Sequence, residues 1–302
     1  MNILRKYSWL IVGLAIAALA VVSGCSNSTT GKAAVNESVR ETQTTSLKVK
    51  VLDIGQGDAI LIQVAGQVIL VDTGDVQTRD KLVSYIKNQG ITTIDKVLIT
   101  HPHADHLGGM AAVLENFTVK QIYDSGQTTT TALYRRYLAT VQQKNIPFTL
   151  LTAGNQLDLG GGTVFKIFAP GKSRIVNSNS DLNNNSIVAK LVYGNFSMLL
   201  TGDAEQESEE HMLKTYGAEL KSTLLKSGHH GSRTSSSLPF LKAVAPDAAI
   251  ISVGSNNDYQ HPHPSTLKKY AGLNIKTYRT DTDGTVTVIT DGKTYTITKE
   301  KQ

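Results

Sequence analysis

The chain has 302 residues, 40% of them hydrophobic, with 30 basic against 25 acidic side chains and a net charge of +5. That length and apolar content bury a core, which excludes a disordered or low-complexity protein, and a single cysteine excludes a scaffold stapled by disulfides. The small positive balance is compatible with a phosphate-bearing substrate without arguing for one.

In chain order, Arg5 and Lys6 precede an unbroken apolar run from Trp9 to Val22, and the run is followed by "VSGC", which ends in the lone Cys25. The run is shorter than the ~20 residues of a spanning helix and has the layout of a cleaved secretory signal. The "VSGC" stretch resembles the lipobox of bacterial lipoproteins. On that resemblance residues 1–25 are a signal peptide, Cys25 carries the lipid, and the rest of the protein is anchored at the extracellular face of the membrane. Without Arg5 and Lys6 the charge balance falls to +3, 28 basic against 25 acidic residues. Residues 26–46 are polar and lack hydrophobic periodicity, so a flexible tether is expected there, with the folded domain over 47–302.

From Leu47, "LKVKVLDI", "DAILIQV" and "QVILVDTG" read as closely spaced strands, "TRDKLVSYIKNQG" from Thr78 as a helix, and "IDKVLIT" as a further strand. The second half repeats this grammar: "DAILIQVAGQVILVDTGD" at 58–75 lies over "SIVAKLVYGNFSMLLTGD" at 186–203, matching Gly66 to Gly194 and Thr73-Gly74-Asp75 to Thr201-Gly202-Asp203. Two such halves packed sheet on sheet, with helices on both outer faces, predict a mixed α/β chain built as a four-layer αβ/βα sandwich of two pseudo-repeated halves. Asp72, the 101–106 cluster, Asp203 and "SGHHGS" would then meet at strand ends along one edge.

Within "VLITHPHADHLGGM", three of the eight histidines and one aspartate fall in six positions. Alternate side chains of an extended segment share a face, so His101 and His103 can approach one ion together. Asp105 and His106 point elsewhere and can serve a second ion ~3.5–4 Å away, the separation of two-metal hydrolytic sites. Two divalent metal ions are therefore the expected cofactors.

The motif "THPHADHLGG" resembles that of the metallo-β-lactamase superfamily, whose αβ/βα fold agrees with the repeat; "LVDTG", "LLTGD" and "LKSGHHGS" are further matches. The resemblance implies that His101 and His103 hold one ion, that Asp105, His106 and one histidine of the His229-His230 pair hold the other, and that Asp203 bridges them. Asp72 would steer a histidine or the bound hydroxide. Of the pair, His229 is the expected ligand because it follows the strand and Gly228 directly, leaving His230 to face the substrate as a catalytic group with Asp72, Asp105 and His261. The third histidine that most members supply to the first metal is missing, since none stands between Gly108 and Gly202. In its place is "NSDLNNNSIV", which, with "GHHGSRTS" and "YQHPHP", looks like the extracellular hydrolase domain of ComEC-type competence DNA-uptake proteins and their exported relatives. Asn183 in that stretch offers a carbonyl ligand that suits Mn²⁺ better than Zn²⁺.

Asn183, Ser186, Ser232, Arg233 and His263 are candidate substrate contacts, the loop after the histidine pair offering hydroxyls, backbone N–H groups and a guanidinium for a phosphate. His261 is expected to act as a transition-state donor or leaving-group acid, and Pro264 and Ser265 start a helix. The 131–145 segment reads as an amphipathic core helix and His211 as a solvated surface residue.

These features imply an exported, lipid-anchored hydrolase, a phosphodiesterase or nuclease acting on extracellular DNA through a metal-bridging hydroxide. Its alternatives are a phosphodiesterase on another surface substrate such as phosphorylcholine, a lactone or lactam hydrolase, or a DNA-capturing lipoprotein without turnover.

Overall fold

Along Leu47–Val51 every second side chain is buried, the signature of a strand with one face on a core. In the computed structural model, which describes residues 46–301, this strand belongs to the first of two large sheets. The signal peptide, Cys25 and nearly all of the tether lie outside the described residues. Among the described residues no helix is long and apolar enough to cross a membrane.

The first half runs β1 (Leu47–Val51), β2 (Ile60–Val64), β3 (Gln67–Val71), α1 (Arg79–Asn88), β4 (Thr93–Ile94), β5 (Lys96–Ile99), α2 (Ala104–Leu107), α3 (Met110–Asn116), β6 (Thr118–Val119), β7 (Ile122–Asp124), α4 (Ala132–Gln143) and β8 (Phe148–Leu150). The second runs β9 (Gln156–Gly160), β10 (Thr163–Ala169), α5 (Asp181–Asn184), β11 (Val188–Tyr193), β12 (Phe196–Leu200), α6 (Gln206–Tyr216), β13 (Leu224–Lys226), α7 (Leu238–Val244), β14 (Ala248–Ile251), α8 (Pro264–Gly272), β15 (Lys276–Arg279) and α9 (Thr280–Asp283). A closing hairpin, β16 (Val286–Thr290) and β17 (Tyr295–Lys299), returns to the first sheet beside β1.

The sheet orders are β17-β16-β1-β2-β3-β5-β7-β8 and β15-β14-β13-β12-β11-β10-β9. In both, antiparallel hairpins give way to parallel strands, at β3–β5 in one and β12–β13 in the other. The expected repeat is thus present in space. Both hairpin turns hold two residues, but the second sits one position later against the sequence alignment: Val64 faces Gln67 across the first and Tyr193 faces Phe196 across the second. Ala65 and Gly66 in the first turn have φ of 49° and 76°, the left-handed pair that a two-residue hairpin needs to match strand twist.

Three apolar cores make four layers. Val49, Ile62 and Val71 of the first sheet meet Phe165, Leu191 and Met198 of the second. Leu70 and Val97 pack under Leu82, Ile86 and Val113 of α1 and α3, while Leu199 and Leu225 pack under Met212, Phe240 and Leu241 of α6 and α7. Each fully buried Leu, Ile or Phe contributes about 1.5–3 kcal/mol. The parallel strands β3, β5, β12, β13 and β14 all end at one edge, where loops leaving their carboxyl ends carry the polar residues singled out in the sequence.

The β1–β2 connection crosses that edge and fixes the start of α2: Asp58 N donates to Asp105 O at 3.1 Å, and a Cβ on Gly57, at φ +116°, would stand 2.3 Å from that same oxygen. Gly57→Ala should therefore cost about 1–3 kcal/mol, read as a lower urea midpoint with the slope unchanged. A midpoint equal to wild type would mean that the loop does not bear on α2.

Candidate metal centre

Positioning starts from Asp72, which sits just past β3 with φ of 57°. Its Oδ1 accepts from Thr100 N at 2.7 Å and its Oδ2 from Thr100 Oγ1 at 2.7 Å; Oδ2 also lies 2.8 Å from His106 Nδ1. Asp72 is fully buried. It therefore acts through His106, turning Nε2 toward the edge, so of the two roles expected for it, steering a histidine or steering a hydroxide, the geometry has the first. His101 and His103 share a face as the extended spacing predicts, with Nε2 of the first 3.0 Å from Nδ1 of the second.

Asp203 follows β12 and is held by its N–H donating to Ser186 Oγ at 3.3 Å. Its two carboxylate oxygens face different groups. Oδ1 is 3.2 Å from His106 Nε2 and 3.6 Å from His230 Nε2, whereas Oδ2 is 3.8 Å from both His101 Nε2 and His229 Nε2. Asp105 Oδ2 completes the first group, 3.2 Å from His230 Nε2.

Within the histidine pair it is His230, not His229, that stands with Asp105, His106 and Asp203, while His229 faces the other Asp203 oxygen. His229 and His230 both adopt left-handed backbone, φ 47° and 52°, so the chain coils tightly and the adjacent side chains diverge. His230 is buried with Asp105, His106 and Asp203; its Nδ1 lies 3.0 Å from Ser252 O. His229 keeps partial exposure, places Nδ1 3.1 Å from Glu205 Oε1 and turns Nε2 toward the His101 side of Asp203.

Asn183 reaches the same cleft, a cavity of about 310 Å³ whose lining includes His103, Asp105, Asp203, His230 and His261. Its Nδ2 donates to Glu205 Oε1 at 3.0 Å, leaving Oδ1 buried without a hydrogen-bond partner. His106 Nε2, His230 Nε2 and Asp203 Oδ1 are likewise buried without hydrogen-bond partners. Each orphaned buried polar atom costs roughly 1–3 kcal/mol. Nitrogen and oxygen donors that converge yet do not satisfy one another fit a divalent cation, so the residues present fit the metal that the motif implies.

Other candidates fall in different places. Ser186 is fully buried under Asp203, and Ser232 is buried with its hydroxyl 3.0 Å from Thr234 Oγ1, so both shape the loops rather than meet substrate. His263 caps α8 and accepts from Arg233 N at 3.2 Å, leaving the Arg233 side chain exposed beside Glu205, Glu207 and Glu210. His261 lines the cleft, its ring centroid 5.4 Å from that of His229. Burial, with His230, His229 and His263 around it, lowers His261 to about 4. It is a neutral imidazole at pH 7, able to donate a hydrogen bond to developing charge; the leaving-group acid role needs a proton that it does not hold. His211 is exposed on α6, as expected.

Glu205, Asp58 and Lys226 escaped the sequence reading. Glu205 has a faint signal, standing two residues after Asp203. The other two have none in their spacing.

Burial works against charge on His106, but Asp203, Asp72 and Asp105 around it hold its pKa well above the ordinary imidazole value. Burial, with His106 beside it, holds His101 well below. Without metal, His106 thus carries the proton that a cation must displace.

A family model for the metallo-beta-lactamase superfamily matches residues 52–255. The chain belongs to this superfamily. Within it, the chain is 28% identical over 257 residues to ComE operon protein 3 of Bacillus subtilis, covering 79% of this chain and 32% of that protein. It is 32% identical over 237 residues to Competence protein ComA of Neisseria gonorrhoeae, covering 78% and 31%, and 33% identical over 227 residues to Recombination protein 2 of Haemophilus influenzae, covering 74% and 26%. The chain spans about a third of the length of these relatives or less. Among solved structures, the metallo-beta-lactamase fold protein YhfI of Bacillus subtilis superposes with a TM-score of 0.52 at 14% identity, covering 77% of this chain and 95% of that one. CmlA, a diiron beta-hydroxylase from Streptomyces venezuelae, gives 0.53 at 14%, covering 80% and 53%. These two likenesses show the fold, which hosts more than one chemistry. Family and His/Asp cluster together make the chain a metal-dependent hydrolase of this superfamily, related to ComEC-type competence proteins.

Metal binding should release protons, and affinity should rise with pH across and above the ordinary histidine range, as the raised His106 proton is lost. Calorimetric titration in buffers of different ionisation enthalpy measures this; no proton release and a pH-independent affinity would remove His106 from the ligand set. Asp203→Ala should drop bound metal well below wild type, and full metal content in that variant would refute the shared carboxylate.

Proposed function

We propose that the chain is an exported, lipid-anchored phosphodiesterase that hydrolyses nucleic acid, DNA first, with two divalent ions. The observation that carries the reading is the Asp203 carboxylate, one oxygen facing His106 and His230 and the other facing His101 and His229, at the floor of an open polar cleft. A carboxylate so placed suits a pair of ions rather than one. The relatives' own names, a competence protein and a recombination protein among them, support DNA as the first substrate to test.

Divalent ions bound here would make water a nucleophile at neutral pH and offset the charge of a phosphoryl group. The chain's own residues do the rest. Asp72 and Ser252 O orient His106 and His230, Glu205 orients His229 and Asn183, and His261, a neutral imidazole in the cleft, is placed to offer a hydrogen bond to developing charge without transferring a proton. Asn183 Oδ1 is the donor available where the missing histidine would stand, and an uncharged amide oxygen holds an ion more loosely than an imidazole and favours Mn²⁺ over Zn²⁺.

Protein lacking the first 25 residues should cleave single-stranded or double-stranded DNA, or RNA, together with bis-nitrophenyl phosphate, in a metal-dependent way. Turnover of a lactone or lactam with none of a phosphodiester would overturn the reading, and tight DNA binding without cleavage under any metal would favour the capture alternative. After dialysis, Mn²⁺ should restore activity at least as well as Zn²⁺. Asn183→His should tilt that balance toward Zn²⁺ and Asn183→Ala should raise the metal concentration needed; identical metal dependence of all three forms would take Asn183 out of the site. For the anchor, Cys25→Ser should move the protein out of the membrane fraction. Unchanged fractionation and gel mobility would refute the lipobox.

A further inference from the structure

Lys226, the last residue of β13, is fully buried, and its Nζ lies 2.8 Å from Oδ2 of Asp58, itself 1% exposed. Lysine is almost never fully buried unless paired, and a buried ion pair is seldom more stabilising than apolar side chains of the same volume. Its presence here calls for a reason beyond stability. Asp58 Oδ1 supplies one: it has no hydrogen-bond partner and lies 3.5 Å from His230 Nδ1, on the far side of the ring from the metal-facing Nε2. Asp58 also groups with Asp72 and His106, their ligand-type atoms all within 4.8 Å of one another. Each of the two histidines facing Asp203 Oδ1 therefore has a carboxylate behind it, Asp72 at 2.8 Å from His106 and Asp58 at 3.5 Å from His230. Lys226 is the counter-charge that lets two carboxylates stand so close in a dry interior. It also ties sheet to sheet, because Asp58 precedes β2 of the first and Lys226 ends β13 of the second.

We infer that Asp58 and Lys226 are positioning residues for the metal centre, Asp58 placing a carboxylate charge 3.5 Å behind His230 Nδ1, which lies 3.0 Å from Ser252 O, and thereby strengthening Nε2 as a ligand, and Lys226 holding Asp58 in place. This rests on the reading of the His/Asp cluster as a two-ion centre. Outer partners of ligating histidines are typically worth 10–100-fold in metal affinity.

The test is chelator-competition titration of Mn²⁺ and Zn²⁺ alongside thermal unfolding. Wild-type protein binding two ions checks the centre itself. Asp58→Asn and Lys226→Met should each weaken the ion served by His230 by about 10–100-fold and lower stability, since each leaves a buried group without its partner. The double variant, Asp58→Asn with Lys226→Met, should regain stability and keep the weak site. Recovery of affinity along with stability would show that the pair is only a structural clasp, and would overturn the inference. If Asp58→Asn does not fold, Asp58→Glu replaces it, keeping the pair while displacing the carboxylate by one methylene, and should weaken the same ion. A nitrogen and proton NMR readout on metal-free protein separates failure of this inference from failure of the metal reading. The His230 Nδ1 proton should be protected and shifted downfield in wild type, and less so in Asp58→Asn or, failing that, Asp58→Glu. An Nδ1 proton unchanged by the substitution would refute the role of Asp58 whether or not metal binds.

Discussion

The Asp203 carboxylate is the point through which the two halves of this protein act on one another. It leaves the carboxyl end of a second-sheet strand, yet three of the five imidazole and carboxylate groups around it, namely His101, Asp105 and His106, come from the first half. Sandwich packing, the match of antiparallel and parallel strands in both sheets, and the crowding of loops at one edge all serve to bring that single side chain against the 101–106 turn. The buried donors left unsatisfied around it are the cost of the arrangement, and a bound cation is what offsets it.

Electrostatically the centre is built in two depths. Near the cleft stand the groups that face a cation; behind them stand Asp72, Glu205 and Asp58, each against the ring nitrogen of a different histidine. The rear carboxylates fix which nitrogen of each ring looks outward, so ring orientation is set before any metal arrives. Burial keeps His101 uncharged while the carboxylates around His106 keep it protonated, so two rings five residues apart begin from opposite charge states.

How much of this the sequence made visible followed the range of each interaction. The 101–106 motif was legible because strand periodicity and a following helix start are local, and the repeat was legible because hairpins of like length recur with like endings. Asn183 came from the family resemblance, as the residue standing in the stretch where most members place a further histidine. The order of His229 and His230 was not legible: strand logic assumes extended backbone, and two consecutive left-handed residues reverse which side chain turns inward. Ser186 and Ser232 were misread because a hydroxyl beside a motif looks the same whether it meets substrate or props up a loop. Asp58 and Lys226 were invisible because they stand 168 positions apart and meet only after the sheets have packed.

The return of β16 and β17 to the first sheet has a consequence for how such a unit is used. Leu47 is the Cα partner of Thr290 and Val51 that of Val286, which in turn faces Lys299, so the first and last strands share one margin of the first sheet with β16 between them. A domain whose first and last strands share one sheet margin joins to a longer polypeptide through that margin, leaving the second sheet untouched. That geometry suits a module that matches only about a third of the length of its relatives.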